Sequence, residues 1–311
     1  MLWICVTLNK KYEAFCDCEC ILYRNSEYIG KKNVAIGFRF RDRLTRGLKS
    51  IFKAPVVRNC SQLCLKSKPI ISLHLWHLDV AIEIIQVFKN TSQFLELRLA
   101  VPDNLDQTIL VEFLNHLKTE YQFIKVSTLV VPSIGRDTGG FISSLLQSLQ
   151  SAEYKNRPHL FLHTKNTSQL HELIVRRWRE TLIHDIADEM NLCISLFLYK
   201  YLNASIVYSK FNDRLECGQD NVDERKASYL LAQALSKELF DTCHDKIRFC
   251  AGTMMWVMPT RVEKVWSIEK LKAVLSKLEP SQTMQEPSYG HAFERLFPDS
   301  VRRSGLKVFT I

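Results

Sequence analysis

Between residues 69 and 165 the apolar positions fall into short blocks whose period switches between that of a strand and that of a helix. PIISLHLW (69–76) is a continuous apolar run of strand length, and VAIEIIQVF (80–88) places Ile84, Ile85 and Phe88 on one side of a helix. FLELRLAV (94–101) alternates Leu95, Leu97, Leu99 and Val101 with Glu96 and Arg98, the period-2 pattern of a strand with one polar face. Pro102 and Asp103 open a helix that carries Leu105, Ile109, Phe113 and Leu117, with Asp103 as the expected N-cap. VSTLVV (126–131) reads as a third strand, TGGFISSLLQSLQ (138–150) as a third helix and HLFLHT (159–164) as a fourth strand. Four strands alternating with three helices predict an α/β fold, with a mostly parallel sheet of right-handed βαβ units and flanking helices.

The pattern continues in coarser form. QLHELIVRRWRETLIHDIADEM (169–190) predicts one long amphipathic helix, its N-cap drawn from Asn166, Thr167 and Ser168. After a polar stretch near 209–226 come a helix at 228–240, a strand RFCAGTMMWVMP (248–259) closed by proline, and a helix near 268–278. SYGHAFERLFPD (288–299) predicts a further helix and GLKVFTI a last strand. There is no internal repeat.

Composition changes this picture in one place. The 311 residues are 46% hydrophobic and 24% charged, ordinary for a globular protein, and the formal net charge is +9. Residues 31–58 hold nine basic side chains (Lys31, Lys32, Arg39, Arg41, Arg43, Arg46, Lys49, Lys53, Arg58) against Asp42 alone, so +8 of that charge belongs to one segment. Within it, RFRDRLTRGLKSIFK (39–53) spaces Leu44, Leu48, Ile51 and Phe52 as one face of a basic amphipathic helix. Such a helix suits either an anionic membrane surface or a solvated face of the domain. Charge so confined, with few interleaved aromatics, argues against a nucleic-acid partner. A boundary near Lys66 to Pro69 separates an N-terminal extension, 1–68, from a domain at 69–311. No apolar run reaches the roughly 18 residues that span a bilayer, and MLWICVTL lacks the basic start of a secretory signal, so a cytoplasmic protein is expected, peripheral at most. The ten cysteines are scattered apart from CDCEC (16–20), and reduced free thiols are expected in preference to a zinc site.

Three clusters carry candidate chemistry. In GRDTGG (135–140), Gly135 permits a close backbone approach, the amides of Thr138 to Gly140 open a helix where an anion is favoured, and Arg136 can add a bidentate phosphate contact. The alternative is an ordinary strand-to-helix turn. In HTK (163–165), His163 and Lys165 end a strand, the edge at which open parallel sheets bind ligands. In HAFER (291–295), helical spacing stacks His291 on Glu294 and Arg295, placing acid, base and cation on one face or forming a plain ion-pair ladder.

Taken in order, HLWHLD (74–79), GRD (135–137), HTKN (163–166), AGTMMW (251–256) and HAFER (291–295) resemble the rhamnan synthesis F family of glycosyltransferases. The motifs cover about residues 69–311. The resemblance implies a Rossmann-like, GT-A-like nucleotide-sugar domain that transfers a deoxysugar, typically rhamnose from dTDP-rhamnose, to a glycan or lipid-linked acceptor of a cell-surface polysaccharide. Where a GT-A domain carries an Asp-x-Asp metal motif this chain has HTK, so no metal ligands are assigned and a divalent metal is doubtful; no other cofactor is expected. On this basis Glu294, with Asp137 as the alternative, is the expected catalytic base, and Arg136, His163 and Lys165 are expected around the diphosphate. His74 and Trp76 are expected at the nucleoside, and Gly135, Gly252, Thr253, His291 and Arg295 complete the substrate-binding set. The competing reading is a catalytically inactive module that binds a nucleotide sugar or a membrane surface.

Overall fold

The computed structural model describes residues 60–164, 172–217, 223–281 and 287–311, all within the unit Asn59–Ile311. The CDCEC cluster, the basic segment 39–53, Lys165 and the N-cap expected from residues 166–168 lie outside the described residues. A helix α1 (Cys60–Ser67) leads into β1 (Ile70–His74), α2 (Leu78–Gln86), β2 (Glu96–Pro102), α3 (Gln107–Glu120), β3 (Lys125–Val131), α4 (Arg136–Gln150) and β4 (His159–His163). The strands β1 to β4 pair in the spatial order 3-2-1-4, all parallel, as the alternating pattern predicts.

The second half completes the sheet. Two helices, α5 (Glu172–Ala187) and α6 (Glu189–Tyr201), precede β5 (Ala204–Tyr208), β6 (Asp213–Cys217) and α7 (Asp223–Phe240). Then come β7 (Lys246–Cys250), β8 (Met255–Val257), α8 (Pro259–Val262), α9 (Ile268–Leu275), α10 (Tyr289–Arg303) and β9 (Lys307–Thr310). The main sheet has seven strands in the order β3-β2-β1-β4-β8-β5-β9, with only β8 antiparallel to its neighbours. β6 and β7 form a separate antiparallel pair.

Four sequence expectations are corrected here. The helix after β2 is capped by Asp106, whose Oδ1 accepts from the Thr108 amide at 2.8 Å; Asp103 instead accepts from the Ser133 amide at 3.1 Å and ties two strand ends together. Residues 169–190 do not make one helix, because Asp188 is extended at ψ 159° and caps a new helix by accepting from the Asn191 amide at 2.7 Å. The run 248–259 is two strands, broken where Gly252 (φ 89°) and Thr253 (φ 50°) are both left-handed. The cysteines are not all free: Cys64, Cys243 and Cys250 are, but Cys193 is disulfide-bonded.

The core centres on α4 and α10. Phe141 packs its ring 4.5 Å from that of Phe161 and 5.1 Å from that of Phe297, while Trp266 lies 5.0 Å from Phe293. These rings bind α4, β4, α10 and the loop after α8 into one apolar block. Aromatic pairs of this kind contribute about 0.5–1.5 kcal/mol beyond the area they bury. The block fixes the N-terminus of α4 against the ends of β1 and β4, which is where the candidate residues lie.

Candidate functional site

His74 and His163 are the last residues of β1 and β4, and the strand register places them side by side. The chain order reverses between these two strands, so they flank the topological switch point at which open α/β sheets form a ligand crevice. Beyond them Thr164 acts as a backbone clip. Its amide donates to His74 O at 3.1 Å, and its Oγ1 accepts from the Trp76 and His77 amides at 2.7 and 3.0 Å. This holds Trp76 half-buried at the rim, its ring edge-on to His74 at 5.8 Å. The middle residue of HTK thus has a structural duty that its flanking residues conceal in the sequence.

The strand-to-helix turn 135–140 supplies the next wall. Gly135 caps α4 at φ 62°, and Arg136 follows at φ 50°. Its amides are already engaged: Gly135 donates to Glu279 O at 2.7 Å, Arg136 to Ser281 Oγ at 3.0 Å, and Thr138 and Gly139 to Gly135 O at 3.0 and 3.3 Å. Two of the three amides expected to cradle an anion, those of Thr138 and Gly139, are therefore taken by the chain itself, and the segment 279–281 takes those of Gly135 and Arg136. The Arg136 side chain, half-buried, reaches Ser281 O through Nε at 3.4 Å.

Three elements converge on the Gly252–Thr253 turn. Thr253 Oγ1 donates to Asp137 Oδ2 at 2.9 Å; His163 Nε2 donates to Gly252 O at 2.6 Å and lies 3.5 Å from the same Asp137 oxygen; and the Gly252 amide donates to Glu294 Oε1. Because a carbonyl only accepts, the proton of His163 sits on Nε2. A β-branched residue at positive φ is a backbone outlier costing on the order of 1–3 kcal/mol, and here the Asp137 bond holds it. Asp137, His163 and Thr253 are all buried, whereas Glu294 is half-exposed. Burial lowers the His74 imidazole to about 3, against the pull of Asp137, so the ring is neutral.

The expected HAFER face is divided. Arg295 enters a buried fork with Glu216 of β6, Nε–Oε2 2.7 Å and Nη2–Oε1 3.0 Å, while its Nη1 donates to His291 O at 3.1 Å. His291 closes the N-terminus of α10, its amide donating to Ser288 Oγ at 3.3 Å and its Nδ1 lying 2.7 Å from that oxygen. Of the expected set, the structure brings together His74, Asp137, His163, Gly252, Thr253 and Glu294. It places Trp76, Gly135, Arg136 and His291 around them, and sets Arg295 apart as an ion-pair partner. Ser72, Ser281 and Glu279 also belong to this constellation and carry no sequence signal. Among the described residues no three His, Cys, Asp or Glu side chains gather as a metal site.

A family model described as rhamnan synthesis protein F matches residues 31–302, most of the chain, beginning inside the basic segment. No curated protein matches at significant similarity.

Proposed function

Since the chain belongs to the rhamnan synthesis protein F family, we propose that it is a glycosyltransferase that moves a deoxysugar, rhamnose, from a nucleotide-sugar donor to a growing cell-surface polysaccharide. The observation that carries this reading is the meeting of β1, β4, the α4 turn and the Gly252–Thr253 turn at the switch point of a mostly parallel sheet. A Rossmann-like, GT-A-like domain places its nucleotide sugar there.

On this reading an acceptor hydroxyl attacks the anomeric carbon, the bond from that carbon to the diphosphate oxygen breaks, and the hydroxyl proton passes to a carboxylate. Glu294 is the base, because it is half-exposed and one of its oxygens is oriented by the Gly252 amide. Asp137, buried under Thr253 and His163, orients the turn that carries that amide. The leaving diphosphate is met by the side chains of Arg136 and Lys165, since the amides at the start of α4 are occupied. Trp76, clipped at the rim by Thr164, offers its face to the base of the nucleotide.

With purified protein, dTDP-rhamnose and a lipid-linked acceptor, Lys165→Ala should lower transfer about 100-fold or more while the melting temperature holds. Near-normal turnover would remove Lys165 from the phosphate site. Transfer unchanged by EDTA supports a site that works without a divalent metal, and strict manganese dependence refutes it. The second reading, a module that binds without catalysis, is favoured by one observation, the occupied amides of Gly135, Arg136, Thr138 and Gly139. Calorimetry with the same donor separates that module from an enzyme: binding heat without transfer to any acceptor supports it.

A further inference from the structure

Beneath the crevice, between β1, β4 and α4, lies a small cavity lined on its polar side by Ser72, His74, Asp137, Ser144, His163 and Thr253. The room it leaves for the centre of a water molecule is about 10 Å3, close to the minimum that holds one water. Three of its polar atoms, Ser72 Oγ and both ring nitrogens of His74, are buried and have no hydrogen-bond partner among the described residues. Ser72 is 2% exposed and His74 4%. Leaving such groups unsatisfied costs about 1–3 kcal/mol each. The His74 ring lies against α4 where Gly140 has no side chain; a Cβ there would come within 2.5 Å of its Cγ and Nδ1.

We propose that this cavity is a water site built into the floor of the crevice, and that the water in it joins His74 to the Asp137 carboxylate. His74 is then a positioning residue for Asp137. The chemistry of the groups matches one water. The neutral imidazole offers an N–H and an acceptor on diverging nitrogens, Ser72 a hydroxyl, and a carboxylate accepts about four hydrogen bonds, so one molecule with two donors and two acceptors can bridge one His74 nitrogen, the Ser72 hydroxyl and the carboxylate. The titratable groups that face His74 are Asp137 on α4 and His163 on β4, and Thr253 supplies the neutral contact from the opposite turn. Burial keeps the imidazole uncharged, so the water is held by dipoles and by the Asp137 charge. The inference deepens the proposed function only in what Asp137 is for, and its tests read structure and titration, not transfer.

A crystal structure of the full chain that orders internal water should show one molecule within hydrogen-bond distance of a His74 nitrogen and an Asp137 oxygen; a dry cavity there overturns the site. In solution, the side-chain carboxyl carbon of Asp137, followed by 13C NMR across pH, reports its titration. His74→Phe keeps a flat ring on Gly140 and deletes both nitrogens, and should raise the midpoint of Asp137 by about one pH unit as a donor to the carboxylate is lost. His74→Gln should restore part of it. Should His74→Phe fail to fold, Ser72→Ala removes one ligand of the water and should move the midpoint in the same direction by less. A midpoint unchanged in the folded variants overturns the positioning role. A protein that binds no nucleotide sugar, yet shows the water and the shift, would defeat the proposed function and leave this inference standing.

Discussion

At the scale of single residues, two adjacent glycines of α4 differ in what a methyl group would meet. A Cβ on Gly140 would strike the His74 ring, a side chain with some freedom to yield, whereas a Cβ on Gly139 would fall 1.9 Å from the carbonyl oxygen of Ile134, which is backbone. Gly140→Ala should therefore cost about 1–3 kcal/mol and Gly139→Ala more. Urea unfolding of the two variants checks the order, and equal costs below about 0.5 kcal/mol would contradict the packing described. The buried histidines make a second residue-scale prediction. Burial lowers both His74 and His159 to about 3, while an unfolded histidine titrates near 6.5. Below that value the unfolded chain binds protons that the folded chain refuses, so stability falls as pH drops from about 6.5 toward 3. The loss is on the order of 2 kcal/mol per histidine at pH 5. Unfolding free energy measured from pH 7.5 down to 5 should show this slope, and His159→Phe should flatten part of it; a flat profile in the parent protein would refute the neutral burial. Asp137 and His163 were legible in the sequence as polar residues just past apolar runs, because the carboxyl ends of parallel strands gather them, and His74 and Glu294 were legible through the ordered motifs of the family resemblance. Ser72 was not, since a serine inside an apolar strand looks the same whether or not it faces a cavity.

At the scale of elements, the sequence pattern identified the four parallel strands and their helices but misplaced several ends, and each miss has a local cause. Glu96 and Arg98 alternate with leucines as if on a solvated face, yet the whole of β2 is buried. Arg157 pairs with Glu96 at 2.7 Å, and the Arg98 guanidinium lies 4.1 Å over the Tyr154 ring while bonding Ser148 at 3.0 Å, so long-range partners satisfy what the alternation reads as exposure. The break at Asp188 and the left-handed pair Gly252–Thr253 are backbone events within continuous apolar patterns, where periodicity has no power to detect them. Helical spacing showed only part of what Arg295 does: its Nη1 donates to His291 O at 3.1 Å, but a stronger partner lies across the interface. Glu216 of β6 is that partner, and the pair is buried on both sides. Arg295→Met or Glu216→Leu alone should cost about 3–5 kcal/mol by stranding the other charge, while the double variant should recover most of the loss. Transfer by the refolded double variant should stay near that of the parent. A double variant that regains stability but loses transfer would return Arg295 to the substrate site.

At the scale of the whole molecule, the period switches alone gave the 3-2-1-4 half of the sheet its parallel character, but nothing in them orders β8, β5 and β9, whose short runs pair with distant strands. Charge distribution was fully legible, because it needs no structure. Residues 31–58 carry +8 of the net +9, and the family match begins at residue 31, so this basic stretch lies within the part of the chain that the family shares. No described helix is long and apolar enough to cross a membrane. A polysaccharide assembled on a lipid carrier puts the acceptor at a bilayer surface, and a basic segment near anionic headgroups gains about 1 kcal/mol per lysine or arginine. The full chain should therefore bind vesicles containing phosphatidylglycerol and leave vesicles of phosphatidylcholine alone. Because the interaction is electrostatic and the Debye length shrinks to about 3 Å at 1 M salt, binding should be lost as salt rises. The combined replacement Arg39→Gln, Arg41→Gln, Arg43→Gln and Arg46→Gln removes four charges while leaving Leu44, Leu48, Ile51 and Phe52 in place. Cosedimentation of this variant should fall by about 100-fold or more in apparent affinity if the charges anchor the protein. Binding that persists in the variant and in high salt would mean that the apolar residues, or another part of the chain, hold it to the bilayer.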